Sequence, residues 1–147
     1  MNRYFVIFAV VIALLACTPK VDKFSGNNEK LGTEVGIREG DIIKSKSQSG
    51  FLVYGPYIPL KQGVYRLVAK GSLAGSSTAL GVIDVVAEKG QVILAVKPII
   101  TEPDKREGEI VSLVFEIVKP VADIEFRINI SPQTTGFFVA YELTNLL

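Results

Sequence analysis

Residues 123–131 read DIEFRINIS and alternate without a break. Ile124, Phe126, Ile128 and Ile130 fall on one parity, and Asp123, Glu125, Arg127, Asn129 and Ser131 on the other. A strand sends successive side chains to opposite faces, so this segment reads as a strand with one face in a core and the other in water. A helix would scatter the same apolar groups around its circumference. Val111, Leu113, Phe115 and Ile117 repeat the pattern, as do Tyr65, Leu67 and Ala69, and Phe137, Val139, Tyr141 and Leu143. Residues 80–88 and 91–97 are more continuously apolar, which predicts central strands covered on both sides. With 42–45 and 51–54 added, about eight strands are expected, spaced by Gly, Pro and Ser turns. Pro98, Pro103, Pro120 and Pro132 fall where the runs end and a missing N–H costs a ladder least. No segment shows a helical period and nothing repeats. The fold class is therefore all-β: an antiparallel β-sandwich of jelly-roll kind over residues 31–147.

Residues 1–16 stand apart from that domain. Arg3 precedes an apolar run over residues 4–15, which is shorter than the about 20 residues a helix needs to cross a bilayer. This is the layout of an export signal peptide. The run ends in Leu14-Leu15-Ala16-Cys17, which resembles the lipobox of bacterial lipoproteins. That resemblance implies a diacylglyceryl thioether on Cys17, cleavage before it, and lipid anchoring in the cell envelope. With threonine rather than aspartate at position 18, it implies the outer membrane where the host is Gram-negative. Two alternatives are an ordinary secretory signal, whose A-x-A pattern leucine at position 14 breaks, and a free thiol. Residues 17–30, polar and turn-rich, read as a flexible tether, with Phe24 packed on the domain or the lipid surface.

The composition narrows function chiefly by exclusion. One cysteine cannot form a disulfide within the chain, so the sandwich rests on its core. There is no histidine to serve as general base, imidazole ligand or triad member. Sixteen Lys and Arg face fifteen Asp and Glu, and losing Arg3 with the signal balances them. No basic stripe is present, and nucleic acid is not an expected partner. Asp84 and Glu88 share a strand face about 13 Å apart, beyond the separations of about 5–9.5 Å that glycosidase carboxylates use. Glu116 could sit across from Glu125, more simply as a wet face paired by Arg127. Glu102, Asp104, Glu107 and Glu109 lack calcium-loop spacing and are mixed with Lys105 and Arg106. No catalytic residue, metal or cofactor is expected.

One segment points to a ligand. Residues 50–67 read GFLVYGPYIPLKQGVYRL, which resembles the carbohydrate-binding-like β-sandwich modules of bacterial surface-polysaccharide proteins. The likeness continues through Val82-Ile83-Asp84-Val85-Val86 and Ile124-Glu125-Phe126-Arg127. Such modules are often joined to an enzyme, whereas here the module is expected to stand alone behind a lipid anchor. The resemblance implies glycan contact through Tyr54 and Tyr57, each with an apolar face and a polar tip. On the residues alone, Gly55-Pro56 ends one strand, and both tyrosines serve equally well in turning a corner. Tyr65, in phase with Leu67 and Ala69, reads as core. The resulting expectation is a non-enzymatic envelope lipoprotein whose sandwich binds envelope glycan. The alternative is a structural or adaptor subunit docking to another envelope protein. Exposed, parallel Tyr54 and Tyr57 would favour glycan, and a contiguous apolar patch would favour docking.

Overall fold

The computed structural model describes residues 18–103 and 106–147. The signal peptide and Cys17 lie outside the described residues. Among those described there is no helix, and ten strands form two antiparallel sheets. In chain order they are β1 (Val21–Ser25), β2 (Gly36–Glu39), β3 (Ile42–Ser45), β4 (Gly50–Leu60), β5 (Gly63–Ala74), β6 (Ala79–Ala87), β7 (Val92–Ile100), β8 (Glu109–Ile117), β9 (Val121–Ile130) and β10 (Thr135–Asn145). The first sheet runs β2-β3-β10-β5-β8 and the second β4-β9-β6-β7. After β4 the chain passes repeatedly from one sheet to the other, as a jelly-roll sandwich requires. Strand β1 joins the first sheet beside β3: both pair with the same edge of β10, β1 along 140–144 and β3 along 137–138.

Alternation in the sequence becomes a core between the sheets, except at the start of β10, where a register shift between Phe138 and Ala140 goes with a reversed parity: Phe138 is buried and Phe137 is 39% exposed. Leu67, Ala69, Leu113, Phe115, Phe138 and Tyr141 from one sheet meet Ile83, Val85, Ile124, Phe126, Ile128 and Ile130 from the other, all buried. A chain of aromatic contacts crosses this core. Tyr65 stacks on Phe115 at 5.6 Å, Phe115 meets Phe126 at 6.3 Å, Phe126 meets Tyr141 edge-on at 5.4 Å, and Tyr141 meets Phe138 at 4.7 Å. Tyr65 is core, as its parity predicts, and its hydroxyl donates to Lys61 O at 2.9 Å. The whole cluster lies within residues 24–143, so the segment 18–147 carries its own core.

Four expectations are corrected. The stretch read as a tether is not free along its length: residues 21–25 form β1, held by β10, with Phe24 packed against the core. Two strands too short to show a period, β1 and β2, raise the count from eight to ten. Strand β4 does not stop at Gly55-Pro56. It runs through the corner to Leu60, with register shifts between Phe51 and Val53, Pro56 and Ile58, and Ile58 and Leu60 absorbing the irregular residues. Finally, β6 is central but β7 is an edge strand, so the apolar run from position 92 is covered on only one side. Both β6 and β7 owe their apolar character to sequence, but burial depends on which neighbours the topology supplies.

Candidate functional site

Strands β4, β9 and β6 lie side by side, and their registers decide which side chains share the outer face of the second sheet. Tyr54 stands opposite Arg127, which stands opposite Asp84; Pro56 stands opposite Glu125, which stands opposite Val86; and Phe51 stands opposite Asn129. Directly opposed residues in antiparallel strands point the same way. With Tyr57 joined to Glu125 by a hydrogen bond, two tyrosines, a cation and two carboxylates from three strands gather on one surface.

Arg127 and Asp84 form its centre. The guanidinium donates through Nε to Asp84 Oδ1 at 2.8 Å and through Nη2 to Oδ2 at 2.6 Å. These forked hydrogen bonds are the main reason that the arginine holds its proton more firmly than usual. The same guanidinium lies 5.2 Å from the centre of the Phe51 ring, within cation–π range. Asp84 is thus committed to an ion pair.

Tyr54 and Tyr57 part company at the corner. Tyr54 is half-buried. Its ring lies against Gly32, where any side chain would collide with it, and meets Phe51 edge-on at 6.3 Å. The backbone of Gly32 and Tyr54 is joined by two hydrogen bonds of 2.8 and 3.1 Å, so residues 32–35 cover the free edge of β4. Tyr57 follows the cis Gly55-Pro56 peptide with φ at 61°, a conformation that L-residues with bulky side chains rarely adopt. It stands 47% exposed. Its hydroxyl donates to Glu125 Oε1 at 3.1 Å. Partial burial, reinforced by the Glu125 charge, pushes its pKa up to about 12.

Glu125 is the residue that sequence parity misplaced. Its position on the outward parity predicts a wet carboxylate, yet only 9% of it is exposed. Tyr57 bonds to it, and Val86 opposite is fully buried on the same face. Nothing local in the sequence brings residues 57 and 125 together; only the β4–β9 register does. Here a buried carboxylate can accept hydrogen bonds from a polyol and the neighbouring guanidinium can donate to it, while the exposed ring covers its apolar face.

The carboxylate pairs considered from sequence do not converge. Glu88 lies in the turn after β6 and not on the strand face with Asp84. Glu116 is on β8 in the first sheet, opposite Val64, whereas Glu125 is on β9 in the second. Among the described residues no group of three acidic side chains could hold a metal ion. Asp104 of the acidic loop lies outside them.

A concavity runs over the outer face of the first sheet as far as the end of β7. It encloses about 610 Å³, and its lining includes Arg66, Lys70, Lys97, Glu102, Glu109 and Glu142 without any aromatic ring.

With this geometry in hand, comparison with solved structures places the architecture. The C-terminal family-6 carbohydrate-binding module of LamC, a marine laminarinase from Zobellia galactanivorans, superposes with a TM-score of 0.55 at 13% identity, covering 86% of this chain and all of that one. The chain shares its fold. A carbohydrate-binding module from Cellvibrio mixtus lichenase 5A, solved in complex with cellotriose, superposes with a TM-score of 0.52 at 9% identity, covering 86% and 98%. No family model matches the chain, and no curated protein does.

Proposed function

We propose that the chain is a non-catalytic, lipid-anchored envelope protein whose sandwich binds cell-envelope glycan at the Tyr57–Glu125 corner. The observation that carries this is one side chain: Tyr57, half-exposed on an outer sheet face, with its hydroxyl on a nine-tenths buried carboxylate beside the Arg127–Asp84 pair. A saccharide ring laid on Tyr57 would find Glu125 as acceptor and Arg127 as donor. The neighbouring modules support the glycan reading through fold, one of them being bound to cellotriose. Tyr54, on the same face and packed on Gly32 and Phe51, braces the corner.

Anchoring rests on the lipobox-like residues at 14–17 and on Cys17 as the lipidated residue. Acyl chains on that cysteine would hold the protein at about 0.8 kcal/mol per buried methylene. Labelled fatty-acid incorporation that Cys17→Ser abolishes would support this part, independently of glycan binding.

A second reading, favoured by its volume, places the glycan in the groove over the first sheet. Titration of residues 18–147 with envelope polysaccharide and a panel of oligosaccharides separates the two. Loss of saturable binding in Tyr57→Ala with Arg66→Ala unaffected supports the corner. The reverse moves the site to the groove, and no binding by the folded domain overturns both.

A further inference from the structure

The exposed apolar surface of the second sheet gathers along β7. Ile93 and Val96 are 63% and 65% exposed, with Val92, Val82 and Ile100 also open to solvent. A register shift opposite residues 85 and 86 leaves Leu94 as an extra residue, so Ile93 and Val96, three apart in sequence, share the outer face. Strand β7 is also an open edge: no strand lies beyond it among those described, whereas residues 32–35 cover the opposite edge at β4. Towards its end Lys97 reaches across to β8, its Nζ donating to Ser112 O at 2.7 Å. Residues 92–96 remain as an uncharged run paired with β6 on one side only, the arrangement natural sheets otherwise guard against.

We infer that two copies of this chain pair through β7, antiparallel about a two-fold axis between Leu94 and Ala95. An edge strand is satisfied by another strand, and this one complements itself. In that register Ile93 of one copy lies opposite Val96 of the other, twice, giving two aliphatic cross-strand pairs. Lys97 of each copy falls opposite Val92, so the two lysines stand about 17 Å apart along the strands, well beyond the screening length of about 8 Å at physiological salt. No like charges meet within the run. The two four-stranded sheets become one continuous sheet of eight. The interface is isologous and closed, the commonest symmetry of soluble oligomers.

The pairing would keep both outer faces on one side. It puts the two β4 strands at opposite ends of the joint sheet, seven strand spacings or about 34 Å apart. Both Tyr57 corners would then face the same way, so a polymer could engage two at once. This last consequence rests on the glycan reading; the dimer itself does not.

Sedimentation velocity of residues 18–147, from micromolar to near-millimolar concentration, tests the inference. The expected result is a reversible dimer of micromolar affinity that Val96→Lys and Ile93→Lys each weaken at least tenfold. Ile37→Lys, at an isoleucine 51% exposed on β2, at the edge of the first sheet opposite to β8, should leave it intact. Hydrogen exchange on the unmutated domain should show amides of residues 92–96 gaining protection as concentration rises. A monomer throughout the range overturns the proposal, as does a dimer indifferent to both lysines or one whose protection appears elsewhere.

Discussion

The Asp84–Arg127 pair makes a quantitative test of how the candidate site is held. Its side chains are 18% and 21% exposed, between the exposed pairs that contribute little and the fully buried ones that cost much to break. Two unit charges about 4 Å apart attract by about 4 kcal/mol at an effective dielectric of about 20. Partial desolvation of both groups takes back roughly half, leaving about 2 kcal/mol of coupling, against about 0.5 kcal/mol for an exposed pair. Asp84→Ala alone should cost about 2–3 kcal/mol, because it strands a half-buried guanidinium. Arg127→Ala should cost a similar amount, adding the loss of its contact with Phe51. The double variant should cost less than the sum by the coupling energy. Urea unfolding of residues 18–147 and the three variants, at constant denaturant slope, reads this directly. A coupling below about 0.5 kcal/mol would show that the forked geometry does not set the pair apart from an ordinary surface contact, and that Arg127 is positioned by packing alone.

Further outcomes follow from neighbouring groups. Phenolate absorbance should reveal a tyrosine ionising near pH 12 that Tyr57→Phe removes and Glu125→Gln shifts downward. Since the folded-state pKa is the higher one, Tyr57 should favour the folded state fully below pH 10 and progressively less as pH rises towards 12. Asp123 accepts the N–H groups of Lys89 and Glu88 at 2.9 Å each, which lowers its pKa. Asp123→Asn should raise amide exchange in the 88–91 turn, and the unmutated turn should loosen as pH falls through the depressed Asp123 pKa; equal exchange in both proteins would contradict this. Gly71→Ala would set a methyl against the carbonyl of Phe137 at φ 138°, costing about 2 kcal/mol or more; unchanged thermal unfolding would refute it.

Particular residues show what was legible in the sequence. Parity in DIEFRINIS announced β9 and assigned Ile124, Phe126, Ile128 and Ile130 to the core, where all four are buried. The same parity put Tyr65 inside, and the structure agrees. The Gly-Pro-Tyr corner drew notice through its composition, but its two tyrosines could not be told apart. Tyr54 is flattened by Gly32, twenty-two residues earlier, and Tyr57 is held by Glu125, sixty-eight residues later. Those contacts are long-range and leave no periodic mark. The shortest strands escaped for another reason: four or five residues at an edge carry too few apolar positions to establish a period.

Alternation along single segments therefore determined the class of fold and most of the buried side chains, because a strand's two faces are fixed by its own backbone. Strand order decided the rest. Whether the apolar residues at 92–96 are covered or left open depends on a neighbour that β7 lacks. Whether Glu125 is wet depends on a tyrosine from the adjoining strand. Backbone geometry writes a side chain's direction into its sequence position, whereas its surroundings are supplied by other strands, and only their assembly specifies them.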